Sequence, residues 1–360
     1  MRTPALHRRG IIVTVVTLAV LLPAGTAFAC GGLVAPNGTI SLTRTTTLAA
    51  YHDGLEHYVT SFEFAGATEG EVGSIVPLPG LPSRVIKGGD WTLQRLVQET
   101  QPQDERLLFE GAAAALASAD ARVILEKQID ALDITVLQGG AVAVGNWARE
   151  HGFFLPPDAP EVLEFYASRS PYFMAARFDA AEAAERGISE GDGTPIHLVI
   201  PTEDPWVPLR ILGLGREAAD RIEADVYLLT DREAAVLPQA VDANRFVPNQ
   251  TGLIREVSQP ASDQLITDLR SDRGMGWVPD EFWLTYLRLN VPAGDLTYDL
   301  AIDGSGAGQP DPASTGLASG ALEPSGLPTL TLFAILAVLL SAIAAAAGNE
   351  RRRSDRRPAV

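Results

Sequence analysis

The chain has 360 residues, 45 of them acidic and 28 basic, for a formal net charge of −17. Such an excess of carboxylates excludes nucleic acid and anionic lipid headgroups as electrostatic partners, because both need basic patches. The single cysteine, Cys30, excludes an intramolecular disulfide scaffold, so stability must rest on an ordinary core.

Arg2, Arg8 and Arg9 precede an apolar run from Ile11 to Leu22, which gives way to Pro23, Gly25 and Ala27-Phe28-Ala29. A basic start, a short apolar stretch and small residues before a cut are the three parts of a secretory signal. Residues 1–29 are therefore expected to be removed by cleavage between Ala29 and Cys30. The run is shorter than the ~20 residues that span a bilayer. Cys30 then begins the mature chain, as a free or intermolecularly paired thiol. Lipidation of Cys30 is the lesser alternative, because Ala27 stands where a bacterial lipoprotein usually has a large aliphatic residue.

Residues 30–302 read as an extracytoplasmic α+β body, strand-rich with interspersed helices and with room for two subdomains divided near residues 100–160. Thr39 to Ala50 alternates apolar and polar residues, His52-Asp53-Gly54 supplies a turn, and Tyr58, Phe62 and Phe64 repeat at period two, which predicts a hairpin. A further strand is expected over Val72 to Pro77. Asp104 to Ala119 is helical by propensity, Leu132 to Leu137 is a strand, and Ala141 to His151 is a helix closed by Gly152. Asp158, Pro160 and Glu161 form a capping-box pattern for a helix stopped by Pro171. Strands follow at Tyr172 to Phe178, Ile196 to Ile200, Leu209 to Leu212 and Val226 to Leu229. A helix over Asp263 to Arg270 and strands at Phe282 to Val291 and Leu296 to Ile302 complete the body.

Residues 303–326 are rich in Gly, Ser, Ala and Pro, the composition of a linker. Leu327 to Ala347 is uncharged, and at ~1.5 Å per residue a helix there covers the ~30 Å hydrocarbon core. Arg351, Arg352, Arg353, Arg356 and Arg357 follow at once, which predicts a cytoplasmic tail over 348–360. The expected arrangement is a single-pass membrane protein with its body outside. Leu327-Pro328-Thr329-Leu330-Thr331 lacks the Thr-Gly pair of a cell-wall sorting signal.

The chemistry-bearing motifs are weak. Gly187-Ile188-Ser189-Glu190-Gly191 has the spacing of a nucleophile elbow, but it sits between a predicted helix and a predicted strand, the reverse of the order that exposes the serine. Gly213-Leu214-Gly215, between a strand and an expected helix Arg216 to Ala224 with Asp231 beyond, has the outline of a dinucleotide fingerprint without a second βαβ unit. His52 and His57 flank the hairpin tip and are placed to face each other, with Asp53 and Glu56 nearby, yet no tetrahedral ligand set is spelled out. His151 and His197 have no evident partners. Glu190 to Asp192 and Asp303 to Asp311 lack calcium-loop spacing. Trp91, Trp147, Trp206, Trp277 and Trp283 are scattered and read mostly as core. No catalytic, cofactor or metal residue is assigned.

Ala29-Cys30-Gly31-Gly32, Ile75-Val76-Pro77-Leu78-Pro79-Gly80, Leu155-Pro156-Pro157-Asp158-Ala159-Pro160, and Pro208-Leu209-Arg210 leading to Val226-Tyr227-Leu228-Leu229-Thr230-Asp231 occur in that order. In them the chain resembles a bacterial family of exported proteins of unknown function, number 2330 of the unknown-function series. The resemblance implies export and carries over no catalytic residue. A second cysteine common in that family is replaced by Leu33-Val34-Ala35. The functional expectation is a membrane-anchored, non-enzymatic binding, adhesion or envelope-scaffold protein with an extracytoplasmic protein or glycan as ligand. The alternative is an extracytoplasmic hydrolase using Ser189 or a carboxylate pair.

Overall fold

A computed structural model describes residues 32–34, 45–61, 71–100, 122–129, 132–153, 155–179, 195–245, 247–303 and 309–317. Two antiparallel-dominated sheets stack face to face, and a helix pair covers each outer face. The large sheet contains β2 (Thr45–His52), β3 (Leu55–Thr60), β5 (Arg84–Lys87), β9 (Ile196–Pro201), β11 (Arg221–Thr230), β13 (Val241–Asp242), β14 (Leu253–Pro260) and β15 (Trp283–Pro292), in the order β13-β14-β15-β11-β2-β3-β9-β5. The second sheet runs β1-β4-β8-β7-β6, with β1 Gly32–Val34, β4 Glu71–Leu78, β6 Arg122–Ile129, β7 Leu132–Gln138 and β8 Tyr172–Asp179. A small third sheet joins β10 (Trp206–Val207), β16 (Leu300–Asp303) and β12 (Ala235–Leu237).

Alternation along the strands divides the apolar residues between layers. Ala49, Tyr58, Leu198, Val226 and Leu287 of the large sheet meet Val76, Ile134, Val136 and Met174 of the second sheet. Leu48, Val59, Tyr227 and Leu229 face the other way, under helices α1 (Thr92–Thr100) and α4 (Asp263–Ser271). Ile75, Leu137, Phe173 and Ala175 lie beneath α2 (Ala141–Glu150) and α3 (Ala159–Ala167). Helix α4 starts where the Ser262 hydroxyl accepts the Leu265 N–H at 3.1 Å. Arg95 of α1 donates to Asp268 of α4 at 2.8 Å, tying that pair together.

The hairpin forms as the sequence predicts. Asp53 (φ 49°) and Gly54 (φ 74°) both take the left-handed conformations that a two-residue turn between twisted strands demands. The fold class, strand-rich α+β, also agrees. Several element assignments differ. Leu209 to Leu212 is a turn of 3-10 helix over Arg210–Gly213 rather than a strand. Its amides bond to side chains instead of a neighbouring strand: Leu209 and Arg210 N–H to Asp299, Ile211 N–H to the Tyr166 hydroxyl. The expected helix Arg216 to Ala224 is a turn followed by β11. The Gly294 N–H bonds the Ala218 carbonyl and the Asp220 N–H the Glu217 carbonyl in the turn, and ladders to β15 from Arg221 and to β2 from Ala224 hold the rest as strand against its helix propensity. Asp158 makes no side-chain cap to α3; its carboxylate accepts the Gly215 N–H at 3.0 Å, joining α3 to the turn before β11. The last predicted strand shortens to β16, preceded by a 3-10 turn over Ala293–Asp295.

Part of the expected linker packs on the body: Pro312–Thr315 is a 3-10 turn capped by Asp311, and the Arg169 guanidinium donates to the Ser314 carbonyl. Among the described residues no helix is long and apolar enough to cross a membrane. The signal, Cys30, Ser189, the helix expected at Asp104 to Ala119 and the span expected at Leu327 to Ala347 all lie outside the described residues.

Gly252 (φ 70°) closes the turn into β14, and a Cβ there would stand 2.6 Å from the Asn290 carbonyl oxygen. Gly252→Ala is therefore expected to cost about 1–3 kcal/mol through backbone strain, read as a lowered urea midpoint with unchanged m-value.

Candidate functional site

Strand β6 is the outer edge of the second sheet, and Arg122 and Leu125 to Gln128 are exposed along it. A register irregularity between Val123 and Leu125 turns the strand so that its two faces border two separate clefts.

On the helical side, cross-strand register aligns two polar rows. Gln128, Asp133 and Arg177 stand side by side on β6, β7 and β8, with Glu126 and Thr135 in the next row. These residues face α2, whose C-terminal end supplies the wall. The Trp147 and His151 rings stack with centroids 4.0 Å apart, and His151 Nδ1 donates to the Trp147 carbonyl at 2.6 Å. The resulting cavity holds about 190 Å³. Arg177 is only 8% exposed and its guanidinium bonds the Asp133 carboxylate at 3.2 Å, so its orientation is fixed before any ligand arrives.

On the other side, β5 and β6 mark where the two stacked sheets part. A cleft of about 370 Å³ there is lined by apolar residues including Leu81, Val85, Leu125 and Val136, together with the cations Arg84 and Lys127. Leu81 and Leu125 are among the few large apolar side chains left exposed, at 40% and 38%. The Lys127 ammonium donates to the Val85 carbonyl at 2.8 Å, so a side chain occupies an outward-facing acceptor of edge strand β5.

The histidines are placed differently from the sequence expectation. His57 opposes Ala50 across the hairpin, not His52. His52 bonds Asp231 at 2.7 Å, while His57 Nδ1 meets His197 Nε2 at 2.9 Å, and His57 stacks on Trp277 at 3.5 Å. His197 and His151 thus each have a definite neighbour. The pair is sealed: His57 is 5% exposed and His197 1%. Burial, reinforced by His197, His52 and Arg84, holds the His57 pKa down to about 3; burial and Arg84 hold His197 down to about 4. Among the described residues neither His197 Nδ1 nor Trp277 Nε1 has a hydrogen-bond partner. Among the described residues no group of three or more His, Cys, Asp or Glu is arranged to hold a metal ion.

Glu56, neighbour of His57 in sequence, points to the opposite face, into the layer between the sheets. It is fully buried and, among the described residues, neither carboxylate oxygen meets a donor in good hydrogen-bond geometry. Burial pushes its pKa up to about 8, with the Trp206 N–H pulling weakly the other way. The Gly213–Gly215 stretch precedes a strand, not a helix, so it presents no helix N-terminus to a pyrophosphate.

Glu126, Gln128, Asp133, Trp147, His151 and Arg177 were not singled out by the sequence as one site. The alternation of Asp133 and Thr135 with Leu132, Ile134 and Val136 was visible; the partners on β6 and β8 follow only from strand pairing.

The family described as "Uncharacterized protein conserved in bacteria (DUF2330)" matches residues 23–251. Comparison with curated proteins gives no match. Among solved structures the chain is similar to baculovirus P35, with 8% identity, a TM-score of 0.40, and coverage of 74% of this chain and 97% of that chain. P35 in its complex with caspase-8 gives 8% identity, a TM-score of 0.33, and coverage of 72% and 95%.

Proposed function

The chain belongs to this family of uncharacterized proteins conserved in bacteria, and from that premise we propose that it is a membrane-tethered extracytoplasmic binding protein. The observation that carries the reading is the exposed edge strand β6 with a cleft on each face, one polar and aromatic, the other apolar and cationic. Paired recesses of opposite character on one rigid sheet edge suit recognition of a ligand. The tether rests on the sequence: a signal ending at Ala29, an uncharged span over 327–347 and arginines beyond it.

Protease added to whole cells is expected to digest the body and spare the C-terminal tail, and the mature mass is expected to begin at Cys30. A body shielded in intact cells, or full-length protein recovered without detergent, would refute the tether.

One observation favours a hydrolase as the second reading: Glu126 and Asp133 line the same cavity. Against it, Asp133 is committed to Arg177, and the buried carboxyls with raised pKa values, Glu56 and Asp299, sit in the core away from the cleft. Turnover that disappears in Glu126→Gln would favour the hydrolase.

A further inference from the structure

We propose that the polar cavity beside β6, β7 and β8 binds a neutral saccharide, one sugar ring at a time. This rests on the reading of the domain as an extracytoplasmic binder. Three features of the cavity point to that ligand class.

The first is charge. Arg177 pairs with Asp133, and the Lys127 ammonium is held by the Val85 carbonyl in the other cleft, which leaves the exposed Glu126 to set the charge of the lining. The cavity therefore disfavours anions, while sugar hydroxyls, which both donate and accept, suit its carboxylate, amide and guanidinium alike. The second is the kind of polar group present. Glu126, Gln128 and Arg177 end in planar forks that engage vicinal hydroxyls in pairs, and the Asp133 contact pre-orients Arg177 at 8% exposure. The third is the wall. Trp147 is buried at 4% exposure, and its stacking holds the half-buried His151 ring in the lining as the aromatic surface for the C–H face of a pyranose ring. The volume of about 190 Å³ lies below the ~300–1,000 Å³ of pockets that enclose drug-sized ligands, which limits the occupant to a single ring.

The test uses full-length protein in detergent micelles. Glucose, galactose, mannose and N-acetylglucosamine, with their disaccharides, are titrated by calorimetry and by tryptophan fluorescence; glucuronic acid and glucosamine serve as charged controls. At least one neutral sugar is expected to saturate and to outcompete its charged analogue. Gln128→Ala and Glu126→Ala, both at exposed positions, are expected to weaken it about tenfold each, the worth of one good hydrogen bond. Arg245→Ala, at an exposed position beside β13 on the far edge of the large sheet, is expected to leave it unchanged. The proposal is overturned if no sugar saturates, if only a charged sugar does, or if affinity survives both cavity substitutions. A protease-accessible body that binds no sugar defeats this inference alone. Sugar binding by a protein whose body proves shielded in cells defeats only the tether.

Discussion

Stability of the folded chain is expected to peak near pH 6.5 and to fall on both sides, with different residues responsible for each limb. Glu56 governs the alkaline limb. Its folded pKa of about 8 lies above the unfolded value of 4.5, so the folded state holds its proton more tightly. The contribution is fully present below pH 4.5 and is lost as pH rises toward 8, at about 1.4 kcal/mol per pH unit. His57 and His197 act in the opposite sense. Their folded values of about 3 and about 4 lie below the unfolded 6.5, so stability is lost as pH falls through that range. Two imidazoles lose about 2.8 kcal/mol per unit between pH 6.5 and 4.5 while Glu56 returns about 1.4, leaving a net acid slope of about 1.4. In a chain of this size that is roughly 2 °C of melting temperature per pH unit. Thermal unfolding from pH 4.5 to 8 measures both limbs. Glu56→Gln is expected to remove about 1.4 kcal/mol per unit from the alkaline limb and to steepen the acid one. The double variant His57→Phe, His197→Leu is expected to reverse the acid limb, because Glu56 then acts there with no opposing imidazole. An alkaline limb unchanged by Glu56→Gln would show that its carboxylate is hydrated in solution.

Nothing in the sequence could have set these two effects apart, because Glu56 and His57 are adjacent in the hairpin and read equally as polar residues near a turn. The pleat sends them to opposite faces. It is the burial of both faces of the large sheet, one by the second sheet and the other by α1 and α4, that turns an ordinary pair into two perturbed groups. Where period and turn chemistry were local, the sequence sufficed: the Asp53-Gly54 hairpin, β7, α2, α4 and β15 all lie close to where they were expected. It failed where tertiary partners decided. β6 and β14 each contain a register irregularity that breaks alternation, and neither was expected as a strand. Glu217 to Ala219, ahead of β11, imitate the start of a helix, and the alternation of Arg221, Glu223 and Asp225 with Ile222, Ala224 and Val226 was the strand signal that the helix reading passed over. The cavity was illegible for the same reason: it is a property of three strands in register, and β6, which carries half of its polar floor, was missing from the sequence reading.

Asp299→Asn is expected to destabilise the fold by about 3–5 kcal/mol, the range for removing one member of a buried ion pair. Asp299 is fully buried, and one of its oxygens accepts the Tyr166 hydroxyl at 2.8 Å and the Leu209 and Arg210 N–H groups at 2.8 and 3.0 Å. The other accepts Arg169, which also lies over the Phe165 ring at 4.2 Å. The Asp299 N–H donates to the Thr315 carbonyl. One residue thereby joins α3, the 3-10 turn at 210–213, the approach to β16 and the 312–315 turn. Burial lifts its pKa above the ordinary aspartate value, and Arg169, the Arg210 N–H and Tyr166 pull it back. An asparagine amide can accept at only one atom, and its NH₂ must then face either the guanidinium or the two backbone donors. The loss is expected to be non-additive. Arg169→Gln added to the Asp299→Asn variant should cost less than it does alone, by about 1 kcal/mol or more in urea unfolding, because the guanidinium has already lost its partner. Strict additivity, or an Asp299→Asn variant within about 1 kcal/mol of the parent, would mean that Arg169 and Asp299 are not coupled. The effect extends to the cavity, since α3 packs against α2, which carries Trp147 and His151. A variant that still folds is accordingly expected to bind its ligand more weakly, although Asp299 does not line that cavity.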